Sequence, residues 1–268
     1  MNENISIIGT GNIGGAIANG LIKSEKYSAE KMILTRRHRD GLEKFEKLGF
    51  TVTTNNNSAV KNSSVVILCV EPHQAGSVLE QITKDLTAEH VLISVVSSLN
   101  IDSIYKVIST DVKVVRAMPN TAISIGQSMT CLAADKKGAS ALSIAKEIFS
   151  EVGKAVIIDE EQMGAATALG ACGIAFFLRA IRAASQGGIE IGFHADKALE
   201  IATQTAMGAA ALLAESGNHP EQEIDKVTTP LGCTIAGLNR MEHDGFSSAM
   251  IKGITTSANK SCGLIDIE

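Results

Sequence analysis

Up to Asp159, short apolar runs rich in β-branched residues alternate with stretches whose apolar positions recur every three or four residues. Residues 5–8, 32–35, 50–53, 65–70, 91–95 and 113–117 read as strands, and residues 13–23, 38–48, 74–85 and 101–108 read as helices between them. Strand and helix alternating at this spacing predict βαβ units and a parallel sheet with both faces covered. Two further β-rich runs, 129–133 and 155–158, flank a helix over 139–151 and extend the sheet.

After Asp159 the texture changes. Residues 160–191 read as a helix thick with Ala and Gly and almost without a polar face, and 195–215 as a second long Ala-rich helix. A helix over 221–227 and two more starting near Thr234 and Ser247 complete a half with no β-run. A helix that is apolar all round must be buried on every side. In about a hundred residues that burial calls for a second subunit. The expected architecture is α/β: a Rossmann-type, doubly wound sheet domain over 1–159, then an all-α domain over 160–268 through which the chain self-associates.

Composition narrows the function classes. The 24 Lys and Arg against 29 Asp and Glu give a net charge of −5, which argues against a polybasic nucleic-acid binder. Aromatics are 3% of the chain with no Trp, leaving little surface on which bases could stack. The cysteines (69, 131, 172, 233, 262) are dispersed and never form C-x-x-C, so we expect no disulfides, no metal site and a reducing cytoplasm. The start, Met1-Asn2-Glu3-Asn4, lacks a basic leader, and the uncharged stretch 163–178 is shorter than the ~20 residues a membrane span needs. The expectation is a cytoplasmic protein without membrane or nucleic-acid partners.

Gly9-Thr10-Gly11-Asn12-Ile13-Gly14 is G-x-G-x-x-G between a strand and a helix, where its physics requires it. Gly9 permits the tight turn, Gly11 lets a pyrophosphate approach the backbone, and Gly14 lets helix and strand pack closely. The helix start adds free N–H groups and partial positive charge. The second strand ends Thr35-Arg36-Arg37-His38, without the acid that accepts from an NAD ribose. A hydroxyl followed by two guanidinium groups suits a 2′-phosphate, so NADPH is expected over NADH, with NADH still possible. Val70-Glu71-Pro72 and Arg116-Ala117-Met118-Pro119-Asn120-Thr121 close two further strands and should face the nicotinamide. In the second half, Val227-Thr228-Thr229-Pro230-Leu231-Gly232-Cys233-Thr234 forms a turn before a helix. It is read either as a seat for a small carboxylate or as ordinary N-capping by Thr229 or Thr234.

Together these residues resemble the Δ1-pyrroline-5-carboxylate reductases of proline biosynthesis, in order over nearly the whole chain. The resemblance rests on the Gly-rich turn, Asn56, Val70-Glu71-Pro72, the R-x-M-P-N-T from Arg116, Thr167-Ala168-Leu169, and P-x-G-x-T-I-A-G-L from Pro230. It implies NAD(P)H-dependent reduction of 1-pyrroline-5-carboxylate to L-proline by hydride transfer to the C=N carbon. Gly9, Gly11, Asn12, Ile13 and Gly14 would hold the pyrophosphate, and Thr35, Arg36 and Arg37 the 2′-phosphate. Asn56 would lie on the adenosine side, with Val70, Pro72, Met118 and Asn120 toward the nicotinamide. Val227, Thr229, Leu231, Gly232, Cys233 and Thr234 would bind substrate, with the Thr234 hydroxyl on the imine nitrogen as the catalytic contact. It also implies a helical dimerisation domain, hence a dimer or a multiple of dimers. The chain departs from the family at Glu71, where Lys is usual, at Gly170-Ala171-Cys172-Gly173-Ile174, where S-G-S-G-P is usual, and at Leu231 and Cys233, where Gly and Thr are usual. A reductase of another cyclic imine, a β-hydroxyacid dehydrogenase-like enzyme and a non-catalytic NADP-binding sensor are the alternatives. The absence of Lys from 163–178 counts against the dehydrogenase.

Overall fold

The computed structural model describes residues 4–108 and 111–262. Met1-Asn2-Glu3 and the last six residues of the expected second domain lie outside them. The chain forms two compact units, residues 1–171 with 258–268, and residues 172–257.

In the first unit, β1 (Ile5–Ile8), β2 (Met32–Thr35), β3 (Thr51–Thr53), β4 (Val65–Leu68), β5 (Val91–Ser94), β6 (Lys113–Met118), β7 (Ser128–Ala134) and β8 (Gly153–Ile157) form one sheet. Its order is β3-β2-β1-β4-β5-β6-β7-β8, and only the β6–β7 pair is antiparallel. The helices are α1 (Asn12–Lys23), α2 (Glu43–Glu46), α3 (Asn56–Lys61), α4 (Pro72–Ile82), α5 (Ile101–Val107), α6 (Leu142–Ser150) and α7 (Met163–Ala166). Strand side chains alternate between two cores. Ile5, Ile7, Ile67, Ile93 and Val115 join α1 and α6 on one face, and Ile8, Val66, Leu68, Leu92 and Val114 join α3, α4 and α5 on the other. Each buried large aliphatic side chain contributes about 1.5–3 kcal/mol, which is why the strands are continuous apolar runs.

Three elements depart from the sequence reading. The helix expected over 38–48 shrinks to the single turn α2, because the charged run from Arg36 to Asp40 has nothing to bury and only Leu42 and Phe45 reach the core. Helix α3 was not expected: it opens on Asn56-Asn57-Ser58, poor helix formers. It forms because the Asn55 side chain accepts from Ser58 N–H and because Ala59 and Val60 are buried. The run 160–191 is not one α-helix but a 3₁₀ turn (Glu160–Gln162), α7, a π turn (Thr167–Cys172) and then α8 (Gly173–Glu190). An Asp159–Gln162 capping box starts it, and the Thr167 hydroxyl donates to Met163 O at 2.8 Å, a bond that loosens helices.

The second unit is helical: α8, then α9 (Ala195–Ser216), α10 (Pro220–Val227), α11 (Cys233–His243) and α12 (Phe246–Ser261), whose last turn belongs to the first unit. Helices α8 and α9 approach so closely that a Cβ on Gly188 would stand 3.0 Å from the Cβ of Ala198. Their other faces are uncovered in one chain: Phe177, Leu178 and Met207 are 61%, 60% and 60% exposed. The expected all-round burial is thus absent from the single chain.

Candidate cofactor and substrate sites

The strand order reverses at β1, flanked by β2 and β4, and ligands of open α/β sheets bind beyond the carboxyl ends of strands at such a point. A cleft of about 660 Å³ lies there, in the first unit. Gly9, Gly11, Thr35, Arg36, Arg37, Asn56 and Val70 line it. Asn12, Ile13 and Gly14 form the first turn of α1 behind it. Pro72 is the first residue of α4, and Met118 is buried against Cys131, Ala133 and Met163. Asn120 is also buried, with its side chain bonded to Gly170 O and Ala122 N–H.

The three glycines do different work. Gly9 has φ +96°, and a Cβ there would come 2.7 Å from Cys69 O; a Cβ on Gly14 would run into Gly9 O. Both are needed by the fold. Gly11 has φ −88° and ψ −146°, outside the main wells of an L-residue, but nothing lies within 4 Å of where its Cβ would be. Its bareness serves whatever enters the cleft. The Gly9 and Thr10 amides donate to Thr35 O at 3.2 and 2.8 Å, and the first bond within the helix runs from Gly15 N–H to Gly11 O. The amides of Asn12, Ile13 and Gly14 are therefore the donors left over at the helix start. Among the described residues the buried Thr10 hydroxyl also has no partner. Spare amides, an orphaned hydroxyl and an unfilled glycine cradle fit a dinucleotide pyrophosphate.

At the end of β2, Arg36 and Arg37 are exposed and form no ion pair among the described residues, whereas Arg39 pairs with Glu46 at 3.1 Å. Thr35 donates its hydroxyl to Asn56 Oδ1 at 2.7 Å, and Asn56 Nδ2 donates to Gln81 Oε1 at 3.0 Å. The sequence reading missed Gln74, Ser77, Val78 and Gln81 as cleft residues. They recur at helical spacing on the flank of α4 beside the buried Ala75, Leu79 and Ile82, which by itself reads as a solvated face.

Beyond β6, buried Arg116 donates to Ser97 O at 2.9 Å and lies 3.4 Å from Glu160, whose carboxylate also accepts from Ile101 N–H at 2.7 Å. Burial lowers the Arg116 pKa from its usual value, and the Glu160 charge opposes that shift.

In the second unit, Gly232 N–H donates to Thr229 O at 2.9 Å, closing a turn with Pro230 second and Leu231 third. Leu231 has φ +62° and a fully exposed side chain. Positive φ at the third turn position is the geometry that favours glycine. The expected capping by Thr229 or Thr234 is not what forms: the N-cap of α11 is Gly232, with no side-chain cap. Thr234 is instead the second residue of α11, and the first helical bond, Ala236 N–H to Gly232 O, leaves the amides of Cys233, Thr234 and Ile235 free for a ligand. Val227 ends α10 and is exposed.

Residues 160–264 match the family model for pyrroline-5-carboxylate reductase dimerisation, and residues 4–98 match that for NADP oxidoreductase, coenzyme F420-dependent. Pyrroline-5-carboxylate reductase 1 of Dictyostelium discoideum is 52% identical over 97% of this chain, which spans about half (49%) of that relative's length. Pyrroline-5-carboxylate reductase 2 of the same organism is 46% identical over 97% of this chain and 92% of its own. The structure of a pyrroline-5-carboxylate reductase from Coxiella burnetii aligns over all of both chains, with TM-score 0.92 and 29% identity. The NADP-bound pyrroline carboxylate reductase of Plasmodium falciparum shares the fold, with TM-score 0.87 and 24% identity over 97% of each chain. With its Rossmann unit, its helical second half and these relatives, the chain belongs to the pyrroline-5-carboxylate reductase family of NAD(P)H-dependent oxidoreductases.

Proposed function

We propose that this chain reduces 1-pyrroline-5-carboxylate to L-proline with NADPH as reductant. The observation that carries the reading is the cleft at the β1 switch point, bare at Gly11 and flanked by Arg36 and Arg37, which form no ion pair among the described residues.

The spare amides of Asn12, Ile13 and Gly14 hold the pyrophosphate, while Gly9 shapes the turn and Gly11 leaves the approach open. Thr35, Arg36 and Arg37 take the 2′-phosphate, and Asn56, which accepts from the Thr35 hydroxyl, lies on the adenosine side. Val70, Pro72 and Met118 shape the nicotinamide end. Bound NADPH supplies the hydride for the C=N carbon. The amides of Leu231, Cys233 and Thr234 seat the substrate carboxylate, while Gly232, whose N–H is taken by Thr229 O, shapes that loop with Val227 and Thr229. The Thr234 hydroxyl bonds the ring nitrogen and orients the imine. A protonated imine is already electrophilic, so the chain's main contribution is to hold two reactants together, an effect worth up to ~7–11 kcal/mol. Thr234→Ala tests this: turnover should fall at least tenfold with NADPH affinity kept, and wild-type turnover would refute the role.

We take the functional boundary at 159/160, a reading supported by the dimerisation model's match from residue 160. The uncovered faces of α8 and α9 are assigned to a second copy, giving a dimer or a multiple of dimers. Residues 160–190 are long and apolar enough to cross a membrane by length and composition. The dimerisation match and the Arg179 and Arg182 guanidiniums on that helix favour a protein interface over a bilayer. Free, dispersed cysteines support a cytoplasmic setting, and the net charge of −5 disfavours nucleic acid as a partner.

A further inference from the structure

Asn120 sits where β6 gives way to a short 3₁₀ turn, Thr121–Ile125, and is buried. Its main-chain N–H donates to Ser128 Oγ at 3.1 Å, and its Oδ1 accepts from Ala122 N–H at 3.0 Å. Its Nδ2 donates to Gly170 O at 3.0 Å, within the π turn 167–172. The side chain therefore has one face on the strand exit and the other on the π turn, and it is not among the residues lining the cleft.

A π turn is rare and poorly tolerated unless surrounding groups hold it, and such turns concentrate at functional sites. This one is loosened further by the Thr167 hydroxyl on Met163 O. From it the chain runs directly into α8. The β6 exit in turn lies at the carboxyl end of the sheet, where ligands of this fold bind.

We propose that Asn120 is a positioning residue, whose carboxamide locks the π turn onto the β6 exit and so fixes where the chain leaves the sheet. It acts on the reduction without gripping the cofactor. This rests on the imine-reductase reading for its kinetic consequence, but not for its structural one.

Two variants separate the strut from the cap. Serine caps helix starts about as well as asparagine, so Asn120→Ser keeps the bond to Ala122 N–H while being too short to reach Gly170 O. Asn120→Asp keeps the cap and sets a carboxylate oxygen against the Gly170 carbonyl. Three readouts apply to the whole 268-residue chain: NADPH affinity by fluorescence titration, kcat and KM with pyrroline-5-carboxylate, and amide hydrogen exchange over residues 163–174. The strut predicts faster exchange across the π turn and NADPH affinity within about twofold of wild type. It also predicts kcat lower by roughly tenfold in Asn120→Ser and lower still in Asn120→Asp, the scale of effect that small misplacements produce. Unchanged exchange overturns the proposal. So does weakened NADPH binding with kcat kept, which would make Asn120 a cofactor contact. If the wild-type protein reduces no pyrroline-5-carboxylate, the substrate reading falls, while exchange and NADPH affinity still decide the strut.

Discussion

Replacing Gly11 by alanine separates a glycine kept for a ligand from glycines kept for the fold. At Gly11 the φ of −88° suits an L-residue, the ψ of −146° lies outside its main wells, and the space around the missing Cβ is open to 4 Å. No neighbouring atom resists the methyl group, so the variant bears only the backbone strain, about 1–3 kcal/mol before ψ relaxes, offset by about 0.4–1 kcal/mol from the smaller unfolded ensemble. Gly11→Ala should therefore melt within a few degrees of the wild-type temperature and above Gly9→Ala. Gly9→Ala is the contrast: a positive φ costs about 1–2 kcal/mol, and overpacking against Cys69 O and Val70 costs typically 1–3 kcal/mol more. For NADPH the order reverses. The methyl group at position 11 stands where the pyrophosphate must approach the amides. Loss of one charge-assisted hydrogen bond is worth about 1.5–3 kcal/mol, which is roughly a tenfold to hundredfold loss of affinity. Thermal unfolding by circular dichroism and NADPH titration by fluorescence give both numbers. A Gly11→Ala protein that melts well below wild type would show the glycine to be structural. One that binds NADPH normally would show that no pyrophosphate passes there.

Three other outcomes follow from the geometry. Replacing Arg36 and Arg37 together by alanine should weaken NADPH binding roughly tenfold or more and leave NADH nearly unchanged; equal losses would remove the 2′-phosphate assignment. Leu231→Gly should stabilise the chain by about 0.5–1 kcal/mol in denaturant unfolding, because relief of a φ of +62° exceeds the entropy cost of glycine; a destabilised variant would mean the leucine side chain is buried in the working assembly. Burial first, and then the charge of Asp135, push the Tyr105 phenol up to about 12 from its ordinary 10.0. Its stabilising contribution is thus complete below pH about 10 and is lost as the pH rises toward about 12. Tyr105→Phe should flatten that alkaline limb, and an unchanged limb would assign it to another group.

Most of the sheet was legible because its strands are buried on both faces, so hydrophobic run length alone marked β1, β2 and β4 to within two residues. What was missed has identifiable causes. Helix α3 is written in asparagines and depends on one side-chain cap, a signal that propensity obscures. The π turn in 167–172 depends on Asn120, which lies far away in sequence. The cofactor loop was legible from the order of its glycines, but the polar face of α4 was not used: its residues at 74, 77 and 81 look like an ordinary solvated stripe until the fold turns them into a cleft wall. At the loop before α11 the sequence pointed to a turn ahead of a helix, while the cap proved to be Gly232, because the turn brings its backbone to the start of α11.

The central claim is tested most directly by incubating the purified 268-residue chain with NADPH and pyrroline-5-carboxylate, beside a six-membered cyclic imino acid. NADPH oxidation and the product should be followed together. The account predicts that each NADPH consumed yields one proline, with the five-membered substrate clearly preferred. NADPH bound in the cleft but not oxidised in the presence of pyrroline-5-carboxylate would contradict it.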